Sequence, residues 1–247
     1  MLFRLDGVGF QYSDGTLALD GVSAEIGQGE RIAIVGANGS GKSTLLKALN
    51  GLIEPSTGTV FFEGQALTEK ALRDAQFQQS FRSRVGFVFQ DADAQLFNAT
   101  VGEELAFGPA QLGFDRHEVE TRVRDVMEHL GIAYLADRPP FRLSGGEKRK
   151  VAIASILTMN PDVILFDEPF LALDPRTQSW FLRAMAQLQE AGKTTMVATH
   201  TLSTLAEIAD RALVLGEDHR LLADLPVSAL LCDADLLDRS GLAGAPV

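Results

Sequence analysis

Cysteine is nearly absent: Cys232 is the only one in 247 residues. One thiol cannot form an internal disulfide or a thiolate zinc site, which suits a reducing compartment. Basic residues are outnumbered, 22 against 33 acidic, for a formal charge of −11. That balance argues against non-specific duplex binding, which needs a basic face to neutralise phosphates. Arg82, Arg84, Arg122, Arg124, Lys148, Arg149 and Lys150 could supply small basic patches, but solvated surface is the expected reading. No uninterrupted apolar run approaches a membrane span, and the best, 151–159, reads as a buried helix. Residues 1–6 show no basic stretch followed by an apolar one, so no signal peptide is expected. A membrane role must then come through a partner. Internal repeats and low-complexity tracts are also missing.

What is present is a chain with 46 % hydrophobic residues, enough for a well-buried core. Its length fits one large α/β domain or a core with a subdomain. Short apolar or alternating stretches at 2–10, 18–26 and 31–35 read as strands, punctuated by Asp14-Gly15 and Gln28-Gly29. A helix is expected over 43–49, and strands at 59–62 and 85–89. From 100 to about 160 the pattern turns helical, with helices over 121–130 and 145–158. Strands at 163–166, 193–198 and 212–215 then alternate with helices at 176–188 and 202–209. This predicts a mostly parallel sheet flanked by helices, an N-terminal antiparallel β region and an inserted helical subdomain. Within a single domain spanning 1–247, the core is expected at 1–90 and 161–216. The helical subdomain takes 91–160, and a C-terminal extension of a short strand and small helices takes 217–247.

Three segments carry chemistry. Gly36-Ala37-Asn38-Gly39-Ser40-Gly41-Lys42-Ser43, followed by Thr44, matches a phosphate-binding loop between a strand and a helix. Its glycines let backbone N–H groups turn inward, and the helix N-terminus attracts anions. Lys42 is expected to reach the β- and γ-phosphates, and the Ser43 hydroxyl to ligate Mg²⁺. Four apolar residues, Val163 to Phe166, then deliver Asp167 and Glu168 to the carboxyl end of a buried strand. Asp167 suits Mg²⁺, and Glu168 suits polarisation of a water beside the γ-phosphate. Leu143-Ser144-Gly145-Gly146-Glu147 opens a helix with an N-cap and a capping box. A helix start alone explains Ser144 and Glu147. The paired glycines cost helix stability yet expose N–H groups to an anion.

In that order and spacing, these motifs resemble the nucleotide-binding subunit of an ATP-binding-cassette (ABC) transporter over nearly the full chain. By the resemblance, residues 36–43 are the Walker A loop, Asp167 and Glu168 the Walker B pair, and residues 143–147 the family signature. Gln90 becomes the Q-loop glutamine, which contacts Mg²⁺ and water and senses the membrane partner. Leu173-Asp174 becomes the D-loop at a dimer interface, His200 the switch histidine on the γ-phosphate, and Tyr12 the aromatic that stacks on adenine. Phe170-Leu171-Ala172 departs from the small or polar residues common before the D-loop.

The run from Phe89 to Phe97, then Ala106-Phe107-Gly108-Pro109, is similar to ATPases of energy-coupling-factor (ECF) importers of vitamins and transition-metal ions. There a short helix after the Q-loop meets the membrane coupling protein; here Asp93, Gln95 and Leu96 are expected on it. Residues 235–242 resemble that group's ending, with the cobalt importer ATPase the nearest likeness.

The resemblance implies ATP hydrolysis to ADP and phosphate, with ATP and Mg²⁺ bound at two sites shared by two ATPase subunits, a homodimer being compatible. Lys42, Ser43, Gln90, Asp167, Glu168 and His200 would come from one copy, and Ser144, Gly145, Gly146 and Asp174 from the other. Further partners would be an integral-membrane coupling protein and a substrate-binding membrane subunit, with no nucleic acid, at the cytoplasmic face of the membrane. Cobalt is the expected cargo, with nickel, biotin or another vitamin as alternatives. A soluble ABC protein of translation or repair, or a P-loop kinase, competes with this reading. Neither explains a single cassette that carries both signature and D-loop.

Overall fold

Ile32, Ala33, Ile34 and Val35 are all fully buried, and so are Ile164, Leu165 and Phe166. Strands so apolar on both faces belong in the middle of a covered parallel sheet. In the computed structural model, which describes residues 1–171 and 173–242, they do. The elements run β1 (Phe3–Gln11), β2 (Leu17–Ile26), β3 (Arg31–Val35), α1 (Lys42–Leu49), β4 (Thr57–Phe62), β5 (Gln65–Ala66), α2 (Glu69–Leu72), α3 (Ala75–Arg84) and β6 (Val85–Val88). Then follow α4 (Val101–Gln111), α5 (Arg116–His129), α6 (Gly145–Leu157), β7 (Val163–Asp167), α7 (Pro175–Glu190) and β8 (Thr194–Thr199). The chain continues through α8 (Leu205–Ile208), β9 (Arg211–Leu215), β10 (Leu221–Pro226), α9 (Val227–Leu230) and α10 (Ala234–Arg239).

Six strands form one sheet in the order β10-β9-β3-β8-β7-β6, parallel except for β10 at the edge. Side chains alternate across each strand. Ile32, Ile34, Leu165, Met196 and Leu213 therefore meet α1 and the second, antiparallel sheet, β2-β1-β4-β5. Ala33, Val35, Ile164, Phe166, Val197 and Val214 meet the helices on the other face, with Phe181, Met185 and Leu205. Each fully buried Leu, Ile or Phe here contributes about 1.5–3 kcal/mol.

Between adjacent parallel strands β6 and β7 the chain inserts α4, α5 and α6, which share their own core of Val101, Leu105, Met127, Leu130 and Val151. Capping boxes start α4 (Thr100 with Glu103) and α6 (Ser144 with Glu147). Trp180 on α7 ties this insertion to the main body by donating from Nε1 to the Leu130 carbonyl at 3.0 Å.

Several expectations shift. Residues 69–72 and 75–84, where no element is expected, are helical, and the helical region expected from 100 opens with α4. The helix expected over 121–130 begins earlier, at Arg116, because Asp115 caps it by accepting from Glu118 N–H. The helix expected over 202–209 shrinks to Leu205–Ile208. After Gln90, the short helical turn covers only Ala92–Ala94, so Asp93 lies on it but Gln95 and Leu96 do not. Gln95 instead turns inward: its side chain satisfies Phe89 N–H and the Ala152 carbonyl. Among the described residues no helix is long and apolar enough to cross a membrane.

Candidate active site at the carboxyl ends of the strands

Strands β3, β6, β7 and β8 all end on one side of the sheet, and the next residues converge there. The loop after β3 turns back on itself into α1. Two of its glycines are sterically required. A Cβ on Gly36 would stand 2.4 Å from the Leu215 carbonyl, and one on Gly41 2.1 Å from the Ala18 carbonyl; both have positive φ. Lys42 reaches back over this loop, donating from Nζ to the carbonyls of Gly36 and Ala37 at 2.9 Å each. Its ammonium also lies 3.7 Å from Glu168 Oε1. Burial pushes the Lys42 pKa down, against the opposing pull of Glu168 and Asp167.

Strand β7 ends in Asp167, almost wholly buried, whose Oδ1 accepts from the Ser43 hydroxyl at 2.7 Å. Burial holds its carboxyl above the ordinary carboxylate range. Two hard oxygens this close, one on a carboxylate that gains from a nearby cation, form a donor pair that fits Mg²⁺. Glu168 follows with φ 44, a left-handed conformation uncommon outside glycine. Its N–H bonds the Ala198 carbonyl at 2.9 Å. From the end of β8, His200 places Nδ1 2.9 Å from Glu168 Oε1.

A cavity of about 570 Å³ lies over these groups, lined by Tyr12, Asn38, Gly39, Gly41, Lys42, Ser43, Thr44, Gln90, Glu168 and His200. The exposed Tyr12 hydroxyl bonds Thr44 Oγ1 at 3.0 Å, which places the ring at the cavity's edge. The anion-attracting loop, a cation and a carboxylate–imidazole pair thus share one pocket sized for a nucleotide, and Ser43 in its wall leans on Asp167, which does not itself line the cavity.

Residues 19–171 match the ABC transporter family. The chain belongs to that family. A putative ABC transporter ATP-binding protein of Methanosarcina acetivorans is 45 % identical over 96 % of this chain and 87 % of its own length. The nickel import ATP-binding protein LarO of Lactiplantibacillus plantarum is 42 % identical, covering 91 % and 92 %. The energy-coupling factor transporter ATP-binding protein of Methanothermobacter thermautotrophicus is 39 % identical, covering 98 % and 76 %. Among solved structures, cbiO1 from Clostridium perfringens, described as part of the ABC transporter complex cbiONQ, aligns with TM-score 0.81 at 32 % identity, over 98 % of this chain and 94 % of that one. A dimeric ATP-binding cassette in a post-hydrolysis state, bound to ADP and phosphate, aligns at 0.82 and 29 %, over 92 % and 99 %. This ABC protein is therefore an ATP-binding subunit and an ATPase, converting ATP and water to ADP and phosphate.

Not every expected residue of this ATPase faces the pocket. Ser40 does not line the cavity: its side chain is buried, its hydroxyl without a partner. Gly36 shapes the loop's base and does not line the cavity. Ser144, Gly145, Gly146 and Asp174 lie outside the cavity altogether. Gly146 faces the start of α7 instead, where a Cβ would meet Thr177 Oγ1 at 2.7 Å and Asp174 Oδ2 at 3.5 Å. Asp174 caps α7 by accepting from the N–H groups of Arg176 and Thr177. Ala172 lies outside the described residues, as does the end of the expected C-terminal extension beyond residue 242. Sequence reading missed Thr16, Leu17, Ala18, Leu171 and His219, which complete the cavity wall. Only the nearness of residues 16–18 to Tyr12 across the Asp14-Gly15 turn hinted at the first three.

Proposed function

We propose that this ATPase powers an ECF-type importer of a transition-metal ion, as a peripheral subunit at the cytoplasmic face of the membrane. Two copies would close around two ATP molecules beneath an integral-membrane coupling protein and a substrate-binding membrane subunit. The relatives named as an energy-coupling factor ATPase and a nickel import protein support this, as does the likeness to cbiO1. For the cargo, the resemblance of residues 89–97 and 235–242 points to cobalt, while two relatives named for nickel import favour nickel. The cargo is chosen by membrane subunits, so this chain needs no site for it.

One observation carries the two-copy reading: the paired glycines at the start of α6 lie outside the cavity that holds Lys42 and Glu168. A Cβ at Gly145 meets nothing within 4 Å, so its backbone is open to an incoming anion. In the proposed site, Tyr12 stacks on the base, and the N–H groups of Asn38, Gly39, Ser40 and Gly41 cradle the phosphates. Lys42 leaves its loop carbonyls for the β- and γ-phosphates. Ser43, Asp167 and Gln90 would hold Mg²⁺, which would supply positive charge against the phosphates. Glu168 orients the attacking water and accepts its proton, and His200 holds Glu168 and faces the γ-phosphoryl group. Ser144, Gly145, Gly146 and Asp174 of the second copy complete the shell of donors, stabilising charge on the transferring group. In this reading the chain is one ABC domain, its core at 1–90 and 161–216, its helical subdomain at 91–160 and its extension from 217 to 247.

Purification of the tagged chain from membranes, with identification of attached integral subunits, tests this reading. It is followed by uptake of labelled Co²⁺ and Ni²⁺ into vesicles holding the complex. Uptake that requires ATP and stops in Glu168→Gln supports the proposal. A chain that hydrolyses ATP equally well without any membrane partner, and recovers none, sinks it.

A further inference from the structure

Phe89 is the first residue past β6, and side chains hold both of its backbone groups. Its N–H donates to Gln95 Oε1 at 3.1 Å, and its carbonyl accepts from Arg149 Nη1 at 2.9 Å. Gln95 in turn donates from Nε2 to the Ala152 carbonyl at 2.7 Å and Ser155 Oγ at 3.2 Å. Arg149, Ala152 and Ser155 all belong to α6, whose first residues are Gly145 and Gly146. The peptide leading into Gln90 is therefore fastened to that helix, while Gln90 itself lines the nucleotide cavity. A further tie, Lys148 to Asp93, is exposed on the Asp93 side and screened by solvent.

Arg149 is a costly way to make this contact. It is only 7 % exposed, and no carboxylate lies within ion-pair distance among the described residues. Burial accordingly pushes its pKa down, with Asp91 and Asp167 opposing from further away. Charge buried without a paired counter-charge is unfavourable. A plain hydrophobic contact between α6 and β6 would hold the helix equally well. What the guanidinium adds is a directed, charge-assisted bond to one carbonyl, one residue before Gln90.

We propose that Arg149 and Gln95 are positioning residues for Gln90. By clamping Phe89 to α6, they make the place of the Gln90 carboxamide follow that helix. Any shift of α6, and with it of Gly145 and Gly146, is then passed to Gln90 through the Phe89 peptide. The inference rests on the proposed roles of Gln90 and of residues 144–146.

The test is steady-state hydrolysis by the full chain as wild type, Gln90→Ala, Arg149→Met, Arg149→Lys and Gln95→Leu, and as Arg149→Met combined with Gln90→Ala. Arg149→Met is expected to lower kcat about tenfold, the scale of one lost charge-assisted bond, and Gln95→Leu, whose bonds are neutral, about fivefold. Both should raise the Mg²⁺ concentration for half-maximal activity, as should Gln90→Ala. ATP affinity of the monomer should stay within about twofold, separating kcat from binding. Arg149→Lys should recover part of the loss. In the Gln90→Ala background, removing Arg149 should cost nothing further, because the clamp acts through Gln90. Should Arg149→Met not fold, Gln95→Glu carries the same test: it keeps the acceptor for Phe89 but loses the donor to α6. Additive losses in the double variant overturn the clamp, as do wild-type kcat and Mg²⁺ dependence in the single ones. A Gln90→Ala protein of normal turnover instead brings down the reading of Gln90, and the clamp with it.

Discussion

Glu168 and His200 are joined by a 2.9 Å hydrogen bond between Oε1 and Nδ1, and the same carboxylate oxygen lies 3.7 Å from the Lys42 ammonium. A left-handed backbone at a non-glycine residue costs about 1–2 kcal/mol. Glu168 bears it, and the bond from its N–H to Ala198 keeps it in place. The carboxylate is thus aimed by two neighbouring strand ends. Glu168→Gln keeps the shape but removes the proton acceptor, so turnover should fall about a hundredfold or more. ATP should still bind, and a closed dimer should accumulate. Phosphate release and size-exclusion chromatography with ATP check this, and near-normal turnover removes Glu168 from its role. His200→Ala should be slow as well, and the double variant scarcely slower than either single one.

Ser144 is a helix cap and lies outside the cavity. Ser144→Arg is therefore expected to abolish hydrolysis while the monomer binds nucleotide as before. Loss of the cap alone costs about 1 kcal/mol, too little to unfold the chain. Calorimetric titration of ATP decides: weakened monomer affinity would mean that Ser144 belongs to its own chain's site.

Tyr12 sits at the edge of the cavity with its hydroxyl on Thr44. Tyr12→Ala should weaken ATP binding about tenfold, the scale of a lost base stack, and leave inorganic tripolyphosphate unaffected. Tyr12→Phe should keep most of the affinity. Equal losses for both ligands would place Tyr12 in loop support instead.

Asp167 is held above the ordinary carboxylate range by burial, so its ionised form destabilises the nucleotide-free protein. Asp167→Asn should raise the nucleotide-free Tm at pH 7 by about 2–4 °C for each kcal/mol relieved. It should also erase the extra thermal shift that Mg²⁺ adds to ATP. Chelation by EDTA should do the same to the wild type. A Mg²⁺-dependent shift that survives in Asp167→Asn would exclude it as a ligand.

Two helix starts carry acid-sensitive stability. Bonds from the Ser144 N–H hold the Glu147 carboxyl below its ordinary value. At Asp174 the Thr177 hydroxyl is the largest cause, followed by the N–H groups of Thr177 and Arg176. A depressed folded pKa means stability that is present above the ordinary carboxylate value and lost as pH falls through the folded one, here below about pH 4. Glu147→Gln should flatten that acid limb and change little at pH 7. Thermal melts between about pH 3 and 6 follow it, and an unchanged limb would assign the acid loss to other carboxylates.

The chemistry of the cavity was legible because it resides in short contiguous runs. Gly36 and Gly41 announce a loop that admits no side chain, and the apolar stretch before Asp167 announces a buried strand ending in a carboxylate. Periodicity disclosed α6 and α7. It passed over α3, whose only buried residue is Phe81, and it marked the region from 100 as helical without bounding α4, whose Gly102, Gly108 and Pro109 blur the pattern. Gln95 was misplaced for a related reason. A polar residue beside a surface motif looks solvent-facing until the unpaired N–H of Phe89 at a strand end demands an acceptor.

Local sequence therefore determined the kinds of groups available, because strand, turn and phosphate loop each depend on a few adjacent residues. Only tertiary structure decided which of them meet. Strand β3 lies between β8 and β9, far away in the chain, and that pairing brings Lys42 and Ser43 against Asp167, Glu168 and His200. The same packing leaves Ser144 and Gly145 outside the cavity and puts Arg149 on the Phe89 carbonyl. Long-range contacts follow from burying both faces of one sheet at once, a condition no single segment contains.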